Sequence, residues 1–280
     1  MNIKSLLEEG NQILKKNNIS TYKLDTEILM SKALKEDRKY VILNQNKKPN
    51  IDCLNSFKNL IQDRAKGKPI AYILGKKDFW KYQFKLSKDV LIPRPDTELI
   101  IESVLNLTKY KKRLYILDIG IGSGCILMSI LKEKPDFYGV GIDISKKCID
   151  LSKTNAANLG LKNKVKFFKT DVDKFKYGKY DLIVSNPPYI KNIDLKYLEK
   201  DVINFEPVLA LNGGLEGLSE IRKVIKKASE LIKKDGKFIL EIANDQKFKV
   251  IRLLKNNKFY VNKVLKDYAK NDRCIISTKI

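Results

Sequence analysis

In the first 65 residues, apolar positions recur at intervals of three and four: Ile3, Leu6, Leu7, Ile13 and Leu14, then Leu24, Ile28, Leu29 and Ala33, then Leu54, Phe57, Leu60 and Ile61. That spacing gathers apolar side chains on one face of a helix. The third run ends near Gly67 and Pro69, both helix-stop residues. A small helical domain is therefore predicted over residues 1–75. Between Phe79 and Leu86 the period changes. Apart from the adjacent Phe79 and Trp80, apolar and polar residues alternate, which predicts a strand pairing as a hairpin with Val90-Leu91-Ile92. This hairpin, over residues 76–92, is read as a link. Pro93-Arg94-Pro95-Asp96-Thr97-Glu98 predicts a rigid turn, with Asp96 or Thr97 capping a helix that runs to about Leu107.

From residue 113 onward, short apolar runs alternate with helical ones. Strands are predicted at 114–117, 138–142, 165–168, 180–184 and 237–242. A helix begins at Cys125, and others cover 146–158 and 219–231. Strands separated by helices imply a parallel sheet covered on both faces. The last two strands, near 259–266 and 273–279, are joined by a connection too short for a parallel crossover, so they are expected to be antiparallel. The fold class is α/β: a Rossmann-like sheet with antiparallel final strands over residues 93–280, plus the small helical N-terminal domain.

At 280 residues with 43% hydrophobic content, the chain can bury a sizeable core. No apolar run approaches the roughly 18 to 20 residues of a membrane span. The acidic pair Glu8-Glu9 interrupts any signal-peptide apolar stretch, so a cytoplasmic protein is expected. Cys53, Cys125, Cys148 and Cys274 show no zinc-ligand spacing, and no metal site is expected. Histidine is absent, which excludes Ser-His-Asp and Cys-His machinery. The net charge of +23 comes from 56 basic residues of which seven are Arg. Phosphate recognition favours the planar Arg fork, so this Lys-dominated charge is read as composition bias, and nucleic-acid binding is not expected to be the primary role.

Two motifs carry chemistry. Asp118-Ile119-Gly120-Ile121-Gly122-Ser123-Gly124 follows the first parallel strand and opens a helix. Ligands of open parallel sheets bind beyond the carboxyl ends of the strands, and a helix N-terminus offers free N–H groups. A dinucleotide fingerprint fails here because its sixth position is Cys125. Alternate glycines after an aspartate suit S-adenosylmethionine better, whose carboxylate needs N–H donors and whose ammonium needs an acceptor; Asp118 is a candidate to orient the loop or the ammonium. Asp143, at the end of the second strand and 23 residues after Gly120, is placed to accept from ribose hydroxyls.

The second motif is Asn186-Pro187-Pro188-Tyr189, directly after the fourth strand. Two prolines make a stiff corner whose carbonyls are free acceptors. The Asn186 side-chain oxygen and the Pro187 carbonyl can accept the two hydrogens of a planar amino group, with Tyr189 supplying an aromatic face. Aligning a delocalised nitrogen lone pair with a sulfonium methyl then carries much of the catalysis. The proton can leave afterwards, so no imidazole base is required. Amide and adenine nitrogens both fit this corner.

From about Gly67 to its end the chain resembles the protein-(glutamine-N5) methyltransferases that modify peptide chain release factors. The similarity rests on residues 67–75 (GKPIAYILG), 91–98 (LIPRPDTE), the glycine loop, the 186–189 corner, Phe205-Glu206-Pro207 and Asn271-Asp272-Arg273. The 93–98 segment distinguishes this family from other amino methyltransferases that share the corner. The resemblance implies a class I S-adenosylmethionine-dependent fold and a helical domain that helps hold the release factor. It also implies a soluble enzyme, expected to be a monomer, acting on the glutamine of a Gly-Gly-Gln loop. It places Asp118, Gly120, Ile121, Gly122, Ser123, Gly124, Asp143, Asp171, Val172 and Asn186 at the cofactor. Asn186, Pro187, Pro188, Tyr189 and Arg94 are placed at the substrate, with Asn186, Pro187 and Tyr189 catalytic. Where the family often has tryptophan after the aspartate, this chain has Val172. Ribosomal-protein glutamine and N6-adenine methylation are the alternatives that use the same corner.

Overall fold

Residues 1–280 are all described by the computed structural model. Five helices come first: α1 (Ile3–Lys16), α2 (Tyr22–Leu34), α3 (Arg38–Leu43), α4 (Ile51–Ala65) and α5 (Ile70–Leu74). A hairpin follows, β1 (Lys76–Phe79) and β2 (Tyr82–Lys85), then α6 (Glu98–Leu107). The alternating section runs β3 (Tyr115–Ile119), α7 (Cys125–Glu133), β4 (Tyr138–Asp143), α8 (Lys146–Asn158), β5 (Val165–Lys169) and β6 (Tyr180–Ser185). It closes with α9 (Lys200–Phe205), α10 (Ser219–Leu231), β7 (Ile232–Glu241), α11 (Lys247–Asn256), β8 (Phe259–Lys266) and β9 (Asp272–Lys279). No helix is long and apolar enough to cross a membrane.

The chain divides into two units, one of Met1–Gly75 with Glu199–Phe205, the other of Lys76–Leu198 with Glu206–Ile280. In the first, α1, α2 and α4 enclose a core that includes Leu6, Leu14, Leu29, Met30, Phe57 and Ile61. Asn2 and Asn50 cap α1 and α4 by accepting from the amides of Ser5 and Cys53. Asp25 of α2 and Arg64 of α4 form a buried ion pair at 2.7 Å, and Thr21 donates to the same carboxylate at 2.8 Å. Deleting either charge strands the other in the interior, at a cost of about 3–5 kcal/mol.

The second unit is built on a seven-stranded sheet of order β5-β4-β3-β6-β7-β9-β8, parallel from β5 to β7 and antiparallel at β9 and β8. Successive residues of β3 serve opposite faces, as the pleat requires. Ile116 joins the layer formed by α6, α7 and the hairpin residues Phe79 and Phe84. Leu117 and Ile119 join the layer formed by α10 and α11. Each fully buried aliphatic side chain in these layers contributes about 1.5–3 kcal/mol. The strand order reverses at β3, so the loop after it lies at the switch point where open sheets bind ligands.

Two local expectations are corrected. The hairpin pairs 76–79 with 82–85 rather than with Val90–Ile92, and the break in alternation at Phe79-Trp80 is the turn itself, with Trp80 at φ +55°. Neither Asp96 nor Thr97 caps α6 through its side chain, because a 3-10 turn over Pro95–Thr97 leads into the helix. Helices α3, α5 and α9, of five or six residues each, are too short to give a periodic signal, whereas α11 was missed although Val250, Ile251 and Leu254 recur at helical spacing.

Candidate active site

Gly120, Gly122 and Gly124 all adopt left-handed backbone angles, at φ +78°, +55° and +82°. Side-chain-bearing residues resist that region, so alternate glycines are what the turn demands. The turn folds over the end of β4: the amides of Gly120 and Ile121 both donate to the Ile142 carbonyl at 2.9 Å. A β-carbon on Gly120 would meet nothing within 4 Å, so its backbone borders open space. Ser152 Oγ of α8 donates to the Gly122 carbonyl at 2.8 Å, and Asn155 Nδ2 to the Ser123 carbonyl at 2.9 Å. Asp143 accepts from the amides of Gly122 at 3.0 Å and Ser145 at 2.9 Å. Each of its oxygens keeps a further lone pair for a ligand. Burial raises the Asp143 carboxyl above its usual range.

The corner leaves β6 beside this loop, and Ser185 Oγ ties the two strand ends by donating to the Ile119 carbonyl at 2.7 Å. Asn186 Nδ2 donates to Thr97 Oγ1 at 3.1 Å, which turns the amide oxygen away from Thr97. Tyr189 Oη donates to Glu241 Oε1 at 3.2 Å, and Gln246 Nε2 donates to the Tyr189 carbonyl at 3.0 Å. Gly213 and Gly217 back the corner so closely that a β-carbon on either would collide with the Tyr189 backbone. Arg94 is ion-paired with the buried Glu206, whose other oxygen accepts from the Ile92 amide at 3.2 Å.

Loop, corner and the 93–97 turn open onto one cavity of about 490 Å³. Its wall includes Gly120, Gly122, Asp143, Asp171, Asn186 and Pro187, with Val172 and Val224 in the same lining. This is a concave, largely apolar site with few fixed polar groups, as small-molecule sites generally are.

Residues 5–75 match the PrmC N-terminal domain, and residues 95–252 match the methyltransferase small domain. The release factor glutamine methyltransferase of Clostridium acetobutylicum is 36% identical over 285 residues, covering 100% of this chain and 99% of that protein. Its namesake from Clostridium botulinum is 36% identical with 100% of both chains covered, and that of Buchnera aphidicola from Acyrthosiphon pisum is 34% identical with 100% and 99% covered. The chain belongs to the release factor glutamine methyltransferase family. It is an enzyme that uses S-adenosylmethionine as methyl donor. Its fold is shared with the ribosomal protein L11 methylase of Lactobacillus delbrueckii subsp. bulgaricus, at TM-score 0.51 and 19% identity, covering 72% of this chain and 89% of that one.

Within this methyltransferase, three of the residues expected at ligands stand behind the cavity wall rather than in it. Asp118 is 0% exposed on the face of β3 that meets α7, and neither carboxylate oxygen has a formed hydrogen bond. Burial pushes it up to about 7. It lies beneath the loop, not beside the cavity. Gly124 is covered by Met128 and Ser152. Tyr189 packs against the α10–α11 layer, its phenol pushed up by burial and by Glu241. Arg94 does line the cavity, but its charge is already engaged by Glu206. Thr97, Ser152, Asn155, Glu241 and Gln246 were not expected to support the site. Ser152, Asn155, Glu241 and Gln246 are lone polar residues with no local spacing to mark them, whereas Thr97 lies in the 93–98 segment and was expected only as a cap.

Proposed function

We propose that this enzyme transfers a methyl group to the side-chain amide nitrogen of the glutamine in the Gly-Gly-Gln loop of peptide chain release factors. The observation that carries the reading is Asn186: its amide is fixed with Nδ2 on Thr97, so Oδ1 is the end left to accept from a planar amino group at the cavity. The Pro187 carbonyl is the second acceptor, held rigid by the following proline.

The cavity residues fit the cofactor. The open backbone at Gly120 admits close approach, the N-terminus of α7 carries no side-chain cap, and Asp143 retains acceptor capacity. Gly120, Ile121, Gly122 and Ser123 would hold the amino-acid end, Asp143 the ribose, and Asp171 with Val172 the adenine. When bound, S-adenosylmethionine supplies an electrophilic methyl on a sulfonium. Asn186 Oδ1 and the Pro187 carbonyl orient the amide plane of the substrate and stabilise the positive charge that develops on its nitrogen. Residues 5–75, which match the PrmC N-terminal domain, would help hold the release factor.

The test supplies labelled methyl donor with intact release factor, a ribosomal protein or DNA in separate reactions. Label is expected on the release-factor glutamine; label on nucleic acid alone would refute the proposal. Asn186→Ala is expected to lower kcat about 10²- to 10³-fold, the usual cost of one oriented charge-stabilising group. Calorimetry should show methyl-donor affinity within about threefold of wild type, since the other named contacts remain.

A further inference from the structure

We propose that the edge of the sheet opposite the active site is a binding surface for single-stranded RNA, a role separate from methyl transfer and independent of which substrate receives the methyl group.

The topology builds this edge. The cavity lies beyond the carboxyl ends of β3, β4 and β6, so the amino ends of the parallel strands form the other side of the sheet. Lys164 directly precedes β5, Arg113 comes two residues before β3, and Lys179 directly precedes β6. Lys233 lies beside the start of β6, since its neighbour Ile232 pairs with Tyr180. The register carries the row on through the antiparallel strands. Phe259 opens β8 and pairs with Lys279 at the end of β9, and Lys258 directly precedes Phe259. Cations therefore run along one edge from β5 to β8, across inter-strand gaps of about 4.8 Å that sum to roughly 29 Å.

A lysine-rich composition alone sets cations among acids, as it does elsewhere: Lys68 with Asp63, Lys191 with Asp245, Lys249 with Glu216. At this edge Lys233 pairs with Asp181 at 2.7 Å, and the same carboxylate is held by the Tyr115 amide at 2.8 Å. Arg113, Lys164, Lys179, Lys258 and Lys279 form no ion pair; Lys179 and Lys279 donate to the backbone carbonyls of Glu230 and Asn257 instead. Glu230 is taken by Lys227, and the exposed Asp136 and Asp235 leave the edge strongly positive. Burial and the like charges of Lys258 and Lys179 hold the Lys279 ammonium below its usual range, so the row is crowded as well as uncompensated.

Two tyrosines are interleaved with these cations. Tyr115 and Tyr138 are register partners on β3 and β4, with rings stacked at 5.8 Å and 24°. Lys164 Nζ lies 4.3 Å from the Tyr138 ring centre, the Arg113 guanidinium 5.2 Å from the same ring, and Lys233 Nζ 5.8 Å from that of Tyr115. Tyr115 is 42% exposed, and its Oη accepts from Arg113 Nη2 at 3.4 Å, which leaves its own hydrogen to donate. A row of cations suits a phosphodiester backbone, and tyrosine and guanidinium faces suit unpaired bases. The phenol hydrogen suits a 2′-hydroxyl, the group that separates RNA from DNA. An acidic peptide would use the charges and leave the rings unused.

The test titrates the full-length enzyme into a fluorescein-labelled, unstructured RNA of about 12 nucleotides and follows anisotropy between about 50 and 200 mM KCl. Wild type is expected to bind, with log K falling against log[KCl] at a slope of about −3.5 to −4, the value for five or six phosphate contacts on a single strand. Arg113→Glu combined with Lys164→Glu should weaken binding at least about tenfold and reduce the slope by about 1.4. Lys15→Glu combined with Lys58→Glu removes the same charge from exposed positions of the helical unit and should change Kd less than about twofold. Tyr115→Leu keeps the charge and should cost about 5- to 10-fold. Single-stranded DNA of the same sequence and polyglutamate should each bind at least about fivefold more weakly than the RNA. Methyl-donor affinity should stay within about twofold in every variant, because the cavity lies at the other edge, and so reports an intact fold. If the double Glu variant does not fold, Arg113→Gln combined with Lys164→Gln takes its place. Equal losses in the two double variants, or polyglutamate binding as tightly as RNA, would assign the binding to net charge and overturn the proposal. Full affinity in Tyr115→Leu, equal affinity for DNA, or no RNA binding at about 50 mM KCl would overturn it as well.

Discussion

The glycine loop and the Asn-Pro-Pro-Tyr corner border one cavity, yet they are held in different ways. The loop takes its shape from three left-handed glycines, two amides on the Ile142 carbonyl, and two side chains from one neighbouring helix, Ser152 and Asn155. What it presents is backbone N–H, whose polarity the covalent chain fixes. The corner presents a side-chain amide, which can rotate end for end. Its polarity has to be imposed, and the imposing groups come from distant segments: Thr97 on Asn186, and Glu241 and Gln246 on Tyr189. The loop, which needs position alone, is held by a neighbouring strand end and helix no more than 32 residues away, whereas the corner, which needs a direction of hydrogen bonding, draws on residues 52 to 89 positions away.

The sharpest way to break this contrast is at Asn155. It is 1% exposed and serves three backbone groups: Oδ1 accepts from the Lys85 amide at 2.8 Å, and Nδ2 donates to the carbonyls of Lys85 at 3.1 Å and Ser123 at 2.9 Å. Asn155→Ala leaves those groups unpaired in a buried setting, for an expected stability loss of about 2–4 kcal/mol in denaturant unfolding. Methyl-donor affinity should weaken about tenfold as the loop loosens. Preserved affinity despite lost stability would mean that the glycines alone define the loop.

A smaller effect separates the two buried carboxyls, one behind each half of the site. Asp118 behind the loop and Glu241 behind the corner are both pushed up to about 7 by burial. Both therefore bind protons in the folded state that the unfolded chain has released, and stability falls as pH rises from about 4 to about 7. Asp118→Asn should flatten that decline, leaving the Tm difference between pH 5 and pH 8 smaller than wild type by about 2–5 °C. An unchanged pH dependence of Tm in Asp118→Asn would mean that Asp118 is not a carboxyl that releases its proton near neutrality.

Much of this was legible in the sequence where residue type dictates backbone. The alternation of strands and helices yields the parallel sheet, and Gly120, Gly122 and Gly124 mark their own conformations. Thr97 was misread because a polar residue before a helix ordinarily caps it; here a 3-10 turn takes that place and frees the hydroxyl for Asn186. Glu241 is only an acidic residue at a strand end until the register sets Leu240 opposite Ser185, and Cys274 opposite Glu241 itself. The first pairing crosses more than 50 residues of chain and the second more than 30, and neither has a local pattern. The hairpin was placed late because Trp80 occupies a left-handed turn position that its side chain does not advertise.

The smallest effect concerns the part of the cavity that neither loop nor corner defines. Val172 follows Asp171, whose carboxylate accepts from the Asp173 amide at 2.9 Å and so fixes the short turn that carries the valine. Val172 and Val224 both line the cavity, and Val172 also packs against the α10–α11 layer. Two branched aliphatic side chains can cover an adenine face but offer no aromatic stacking. Val172→Trp adds that surface, worth about 0.5–1.5 kcal/mol beyond area alone, or about 2- to 10-fold in methyl-donor Kd by calorimetry. Tightening in that range places the adenine at Val172 and makes this wall a third kind of support, set by side-chain bulk rather than by backbone or polarity. An unchanged Kd with intact folding would put the adenine elsewhere along the cavity.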